Sequence, residues 1–131
     1  MHNAVYHNVN MDMLVESIAR WHYDRNLIDG STDQAQYVKL IEEAGELAGN
    51  IARSRDVSDD IGDMMVVLIN IAERNGLSMK QCLSRAYGDI KDRTGRMVDG
   101  VFMKEADPKE SREPVWNKYT QEYDDRWEDS D

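Results

Sequence analysis

An all-α fold is predicted, and three observations predict it. Only two prolines occur in 131 residues, both beyond residue 107. Apolar and polar residues rarely alternate with the period of a strand; apolar residues instead recur three and four apart through most of the chain. Helix start and stop residues punctuate that pattern repeatedly. The expected architecture is a four-helix bundle core, an irregular C-terminal arm and a short tail helix.

The first helix is expected from about Asp12 to Leu27, with Leu14, Ile18 and Trp21 on one face, broken by Asp29, Gly30 and Ser31. Ser31 with Gln34 resembles a capping box, so a second helix continues to about Arg53 on a core stripe of Tyr37, Leu40, Ile41, Ala44, Leu47, Ala48 and Ile51. Asp56 to Ser58 turn the chain. The third helix is the stretch DDIGDMMVVLINIA, residues 59–72, and Asn75-Gly76 ends it as a left-handed cap would. Ser78 with Gln81 opens a fourth helix through Leu83, Ala86, Tyr87 and Ile90, ending near Gly95. The segment RMVDGVFMKEAD reads as the irregular arm. In the tail, Trp116, Tyr119, Tyr123 and Trp127 lie three or four residues apart, which predicts a helix near 114–127. The domain is expected over residues 1–105, with 106–131 as the tail.

The formal charge of −10, from 16 Lys and Arg against 26 Asp and Glu, argues against a nucleic-acid polymer as partner, because phosphate contacts need a basic stripe. No run of about 18 apolar residues is present, and the first ten residues lack the basic and apolar regions of a signal peptide. A cytoplasmic protein without a membrane span is expected. The single cysteine, Cys82, reads as a small apolar helix residue.

The third helix raises the chemical question. It is apolar in nearly every direction except one sector, where Asp63 and Asn70 fall in line and Asp60 lies roughly 60° to one side. A first-turn position suits an acid because of the helix dipole, which accounts for Asp59 and Asp60 but less well for Asp63. In the second helix, Glu43 flanks the apolar stripe, and Glu42 and Glu46 lie on the more polar side. Two helices joined by a short turn pack antiparallel, so EExxE and DxxD approach one another. Carboxylates brought to one point repel unless cations sit among them. Oxygen ligands alone select hard ions, Mg2+ first and Mn2+ second. No histidine follows the acids at the spacing of a di-iron bundle, and in DVSDDIGD, counted from Asp56, Ile61 stands where an EF-hand loop needs glycine.

EExxE at Glu42, Glu43 and Glu46, a short turn, and an acid-x-x-Asp pair ending at Asp63 before an apolar helix resemble the MazG family of all-α nucleoside triphosphate pyrophosphohydrolases. The resemblance runs from about Tyr37 to Arg96, and in length the chain is similar to the small single-domain members, including those of bacterial viruses. Where the family usually has Glu, this chain has Asp60. The resemblance implies Mg2+-dependent cleavage of (deoxy)nucleoside triphosphates between the α- and β-phosphates, releasing monophosphate and pyrophosphate. It implies metal ligands at Glu43, Glu46, Asp60 and Asp63, with Glu42 taking a proton from water or supporting the ligands. Lys91 and Arg93, then Arg85 and Arg96, are the candidate phosphate cations; basic residues at a helix C-terminus also suit its dipole without any ligand. Trp21 is a candidate stacking surface for a base, and His22 or Asn70 for its edge; core packing and a buried network are the plainer readings of Trp21 and Asn70.

Glu46 points nearly opposite the apolar stripe, so another helix pair is expected to cover it, and the family's homodimers or homotetramers would supply one. Two rivals stand beside this reading: a non-catalytic acidic helical interaction protein, and a metal-dependent phosphohydrolase releasing single phosphates.

Overall fold

The computed structural model describes residues 9–105, and beyond them the backbone of Val115–Asn117 and Glu122–Asp124. Four helices follow in order: α1 (Met11–Asp24), α2 (Asp33–Ala52), α3 (Ser58–Arg74) and α4 (Met79–Ile90). Four short strands come after them: β1 (Gly95–Val98), β2 (Val101–Lys104), β3 (Val115–Asn117) and β4 (Glu122–Asp124). The chain divides within α4 into two compact units, Met1–Tyr87 and Gly88–Asp131.

In the first unit α1, α2 and α4 each begin where a side chain satisfies a free backbone N–H, whereas α3 starts at Val57 without a side-chain cap. Asn10 accepts from the Met13 amide at 2.8 Å and starts α1. The cap of α2 is Thr32, which accepts from the Ala35 amide at 3.0 Å, while the expected cap Ser31 instead accepts from the Gln36 side chain. Ser78 and Gln81 do form the reciprocal box at the start of α4, at 2.8 and 3.1 Å. The helix α3 ends as expected, with Asn75 as cap and Gly76 at φ +70°. By contrast, α1 stops three residues early, where Asn26 takes a φ of +56°, and α4 stops at Ile90 rather than near Gly95.

The helix α3 carries most of the core. Val67, Ile69 and Ala72 are buried together with Ile28 and Met79, and Asn70 is fully enclosed. α1 packs on α3 with a different face from the one expected. His22, not Trp21, is buried, and Val15, Ile18 and Ala19 share its side; Trp21 is 43% exposed and Leu14 is also open. The reason is hydrogen bonding. The His22 Nε2–H donates to the Val66 carbonyl at 2.8 Å, and its Nδ1 accepts from the Asn70 amide at 3.2 Å. That amide also donates to the Leu27 carbonyl at 2.9 Å, which ties α1 to α3 inside, while the buried Asn70 Oδ1 has no hydrogen-bond partner. Trp21 lies outside, its ring edge-on to His22 at 5.2 Å and covered by the Arg25 guanidinium at 4.4 Å.

α2 runs antiparallel to α3 and is pinned to it at both ends. At one end Asp33 accepts from Arg74 at 3.0 Å and from Asn75 at 3.2 Å, while Arg74 also donates to the Ile28 carbonyl. At the other end the Asn50 amide donates to Asp60 at 2.8 Å. The expected core stripe of α2 is only partly used: Leu40, Ala44 and Leu47 are half-buried, but Tyr37, Ile41, Ala48 and Ile51 are exposed. The polar pins turn the helix so that the border of its apolar stripe, not its centre, meets α3. Likewise Leu83, Tyr87 and Ile90 of α4 are exposed.

The second unit corrects two expectations. The arm is not irregular: β1 and β2 form an antiparallel hairpin with Gly95 opposite Lys104 and Val98 opposite Val101. Its two-residue turn places Asp99 at φ +51° and Gly100 at φ +80°, the left-handed pair that Asp-Gly favours. Gly95 is required where it stands, because a Cβ there would run into the Met103 carbonyl and the Phe102 ring. In the tail, the described residues form no helix; β3 pairs antiparallel with β4, Trp116 opposite Tyr123. Aromatic residues favour strands as well as helical stripes, and their three-to-four spacing does not distinguish the two. The chain is thus mostly helical, with two small two-stranded ladders among the described residues.

Candidate metal centre

The two pins set the register of α2 against α3 and bring EExxE beside DxxD. Glu43, Glu46 and Asp63 each offer a carboxylate oxygen, and the three oxygens lie within 4.8 Å of one another. Glu43 is buried on α2, Asp63 half-buried on α3, and Glu46 exposed at the margin. One oxygen of Glu43 binds the Lys39 ammonium at 3.1 Å, while Oε2 is buried without a hydrogen-bond partner. A buried carboxylate oxygen left bare costs about 1–3 kcal/mol or more. A cation among the three groups would satisfy it.

The electrostatics point the same way. The charge of Glu43 beside it holds Glu46 above the ordinary carboxylate range, with burial adding to the effect. Burial raises Asp63, and the charges of Asp59, Glu43 and Asp60 raise it further. Lys39 is raised in turn by its hydrogen bond to Glu43. One ammonium among this many carboxylates leaves a net negative site, and carboxylate oxygens at such separation suit a hard divalent ion.

The remaining candidates fall in different places. Asp60 is buried beside the cluster, but the Asn50 amide engages its Oδ2, which suits a group that holds position. Glu42 is exposed, 3.8 Å from Lys39, on the rim of an open cavity of about 500 Å3 shared with Glu46, Asn50, Arg53 and Asp60. Asn70 belongs to the His22 network and is 0% exposed, as the buried-network reading anticipates. Trp21 lines a separate shallow cavity with Arg20 and Arg25. Arg85 is exposed on α4 in the first unit. Lys91 and Arg93 follow α4, and Arg96 lies on β1; all three belong to the second unit and are exposed there.

Sequence reasoning missed Lys39, Asn50 and Arg53. The signal for two of them was present: Lys39 is four residues before Glu43 and Asn50 seven after it, so both share its side of the helix. Arg53 donates to the Gly49 carbonyl at 3.0 Å and brings a cation to the cavity that holds Glu42 and Glu46.

Among the described residues no helix is long and apolar enough to cross a membrane. No family model matches the chain, and no solved structure matches it. Over 68 residues, half of the chain, it is 40% identical to an uncharacterized 18.2 kDa protein in the rep-hol intergenic region of Haemophilus phage HP1. The match covers 42% of that relative's length, so the similarity to a bacterial-virus protein is one of part to part.

Proposed function

We propose that the chain is a MazG-like nucleoside triphosphate pyrophosphohydrolase, using Mg2+ or Mn2+ to cleave (deoxy)nucleoside triphosphates between the α- and β-phosphates. The observation that carries the reading is the meeting of Glu43, Glu46 and Asp63 across α2 and α3, with one buried Glu43 oxygen lacking a partner. These three carboxylates would hold the ion. When bound, it supplies neutralisation of phosphate charge and a lowered pKa for a water molecule.

The chain's own residues do the rest. Asp60, held by Asn50, fixes the negative field behind the ligands. Glu42 on the open rim takes a proton from water, and Arg85, the candidate cation within the same unit, is assigned to the charge developing on pyrophosphate. Trp21, with an exposed face, is the stacking surface for a base. Self-association as a homodimer or homotetramer and a cytoplasmic location belong to the same reading.

Incubation with each common dNTP and NTP plus Mg2+, with monophosphate, diphosphate and pyrophosphate resolved, tests it. Equimolar monophosphate and pyrophosphate, abolished by EDTA and by Glu43→Ala, is the expected result. Release of single phosphates favours another phosphohydrolase; no turnover of common or modified nucleotides by a folded, metal-loaded sample favours the interaction protein.

A further inference from the structure

Arg53 caps the C-terminal end of α2, and its side chain folds back over Gly49. Its backbone N–H and its Nη1 both donate to the Gly49 carbonyl, at 3.1 and 3.0 Å. Gly49 leaves the room for this, since a Cβ there would stand 2.9 Å from Nη1. Any cation suits the carbonyl end of a helix. The placement of this one is more specific, because Arg53 lines the open cavity of about 500 Å3 that Glu42, Glu46 and Asp60 also line. It bonds the backbone there rather than one of those carboxylates. Lys39, the other cation of α2 near the acids, is bound to Glu43.

The cavity adjoins the acidic cluster through Glu46, whose carboxylate oxygen lies within 4.8 Å of those of Glu43 and Asp63. Glu43 is 6% exposed and its Oε2 has no hydrogen-bond partner, so the cluster is short of positive charge. Gly49, over which the guanidinium lies, stands three residues beyond Glu46, about 4.5 Å along the helix axis. The helix surface beside them is bare, since a Cβ at Gly45 would meet nothing within 4 Å. A ligand can therefore run from the carboxylates to the guanidinium without displacing a side chain. It must be anionic at the Arg53 end and tolerate carboxylates at the other, which a phosphate chain does in the company of a divalent ion.

We infer that Arg53 is a phosphate-binding residue, gripping the far end of a polyphosphate chain whose near end is held at Glu43, Glu46 and Asp63. The inference rests on the proposed metal-dependent hydrolysis and adds to it a residue that measures the length of the phosphate chain. A guanidinium presents its donors in a planar fork that matches a pair of phosphate oxygens. One donor is taken by Gly49, and that bond fixes where the fork stands. A single phosphate at the carboxylates falls short of it. Arg53 thus distinguishes triphosphates from monophosphates and contributes nothing to metal binding or to the choice of base.

Isothermal titration calorimetry of the full chain tests this with Mn2+ alone, then with inorganic phosphate or inorganic tripolyphosphate added to the Mn2+-loaded protein. Arg53→Gln keeps the stem and a donor for the Gly49 carbonyl but loses the charge and the fork. It should weaken tripolyphosphate binding about tenfold or more, and leave the affinities for Mn2+ and phosphate within about twofold of wild type. Arg53→Lys, which keeps the charge without the fork, should lose less. Wild-type protein that binds tripolyphosphate no more tightly than phosphate, or Arg53→Gln that binds it as wild type does, overturns the inference. So does Arg53→Gln that loses Mn2+ affinity in step, since the residue would then only support the helix. Should Arg53→Gln not fold, a lower ratio of tripolyphosphate to phosphate affinity in Arg53→Lys than in wild type carries the inference, and an equal ratio overturns it. Nucleotide hydrolysis is read separately: pyrophosphate release with tripolyphosphate binding indifferent to Arg53 sinks the inference alone, and Arg53-dependent tripolyphosphate binding with every nucleotide left intact sinks the hydrolase alone.

Discussion

Asp63→Asn should make the metal-free protein more stable and remove its response to divalent ions. In the native fold the Asp63 carboxylate lies within 4.8 Å of those of Glu43 and Glu46. At that separation one like-charge pair repels by about 1 kcal/mol under water-like screening, and by about 3.5 kcal/mol at an effective dielectric of 20. Asp63 is half-buried, so the Glu43 pair alone supports an estimate of roughly 1 kcal/mol recovered on neutralisation. For a domain of this size that is about 3–5 °C in Tm. Thermal melts in EDTA at pH 7 read this arm. In the second arm, Mn2+ at a hundred times its Kd stabilises the wild type by about 2.7 kcal/mol, several degrees more, and does so far less in the variant. The two arms have opposite signs, which separates repulsion at an ion site from an ordinary loss of packing. A variant that melts lower in EDTA, or one that Mn2+ stabilises as fully as the wild type, would refute the reasoning.

Other outcomes follow from the same contacts. Glu46 and Asp63 have raised pKa values in the folded chain, so the folded state keeps protons that the unfolded state has released. Metal-free stability therefore falls as pH rises from the ordinary carboxylate range through the raised values, whereas Mn2+ affinity rises over the same window; melts across pH with and without Mn2+ check both signs. Asp33 is held below the ordinary range by hydrogen bonds from Arg74 and Asn75, so its contribution is lost only at lower pH, and Asp33→Asn should flatten that acid limb. Asn50→Ala leaves the buried Asp60 without its donor and should destabilise by about 2 kcal/mol in urea unfolding. Gly95→Ala should erase the cross-strand NOEs of the β1–β2 hairpin while the helical far-UV signal stays.

The helices were legible because their signals are local. The Ser78–Gln81 box and the Asn75-Gly76 stop could be identified from neighbours alone, and so could the acids of EExxE and DxxD, whereas the caps Asn10 and Thr32 were not. The choice of packing face was not local. His22 displaced Trp21 from the core because Val66 and Asn70, over forty residues away, supply both of its partners. The pins at Asp33 and Asn50 rotated α2 away from its own apolar stripe, which no periodicity could foretell. The hairpin is a different case, since Asp99-Gly100 between Val98 and Val101 carries a strong turn signal that was legible and outweighed by the helical pattern before it. In the tail, aromatic spacing fits a helix and a strand pair alike, and only pairing across the chain distinguished them.

The links at Asp33 and Asn50 have a consequence for how such a chain can vary. Both lie inside the helices or at their ends, so the geometry of Glu43 against Asp63 is fixed without help from the turn at 53–57. That turn is solvent-facing, with Ser54 at φ +54°, and doubling its length would add only about 0.6 kcal/mol of closure entropy. The separation between the two acidic motifs along the chain is therefore free to drift while their separation in space stays constant. Insertions between Arg55 and Val57 are the changes this architecture should absorb most readily.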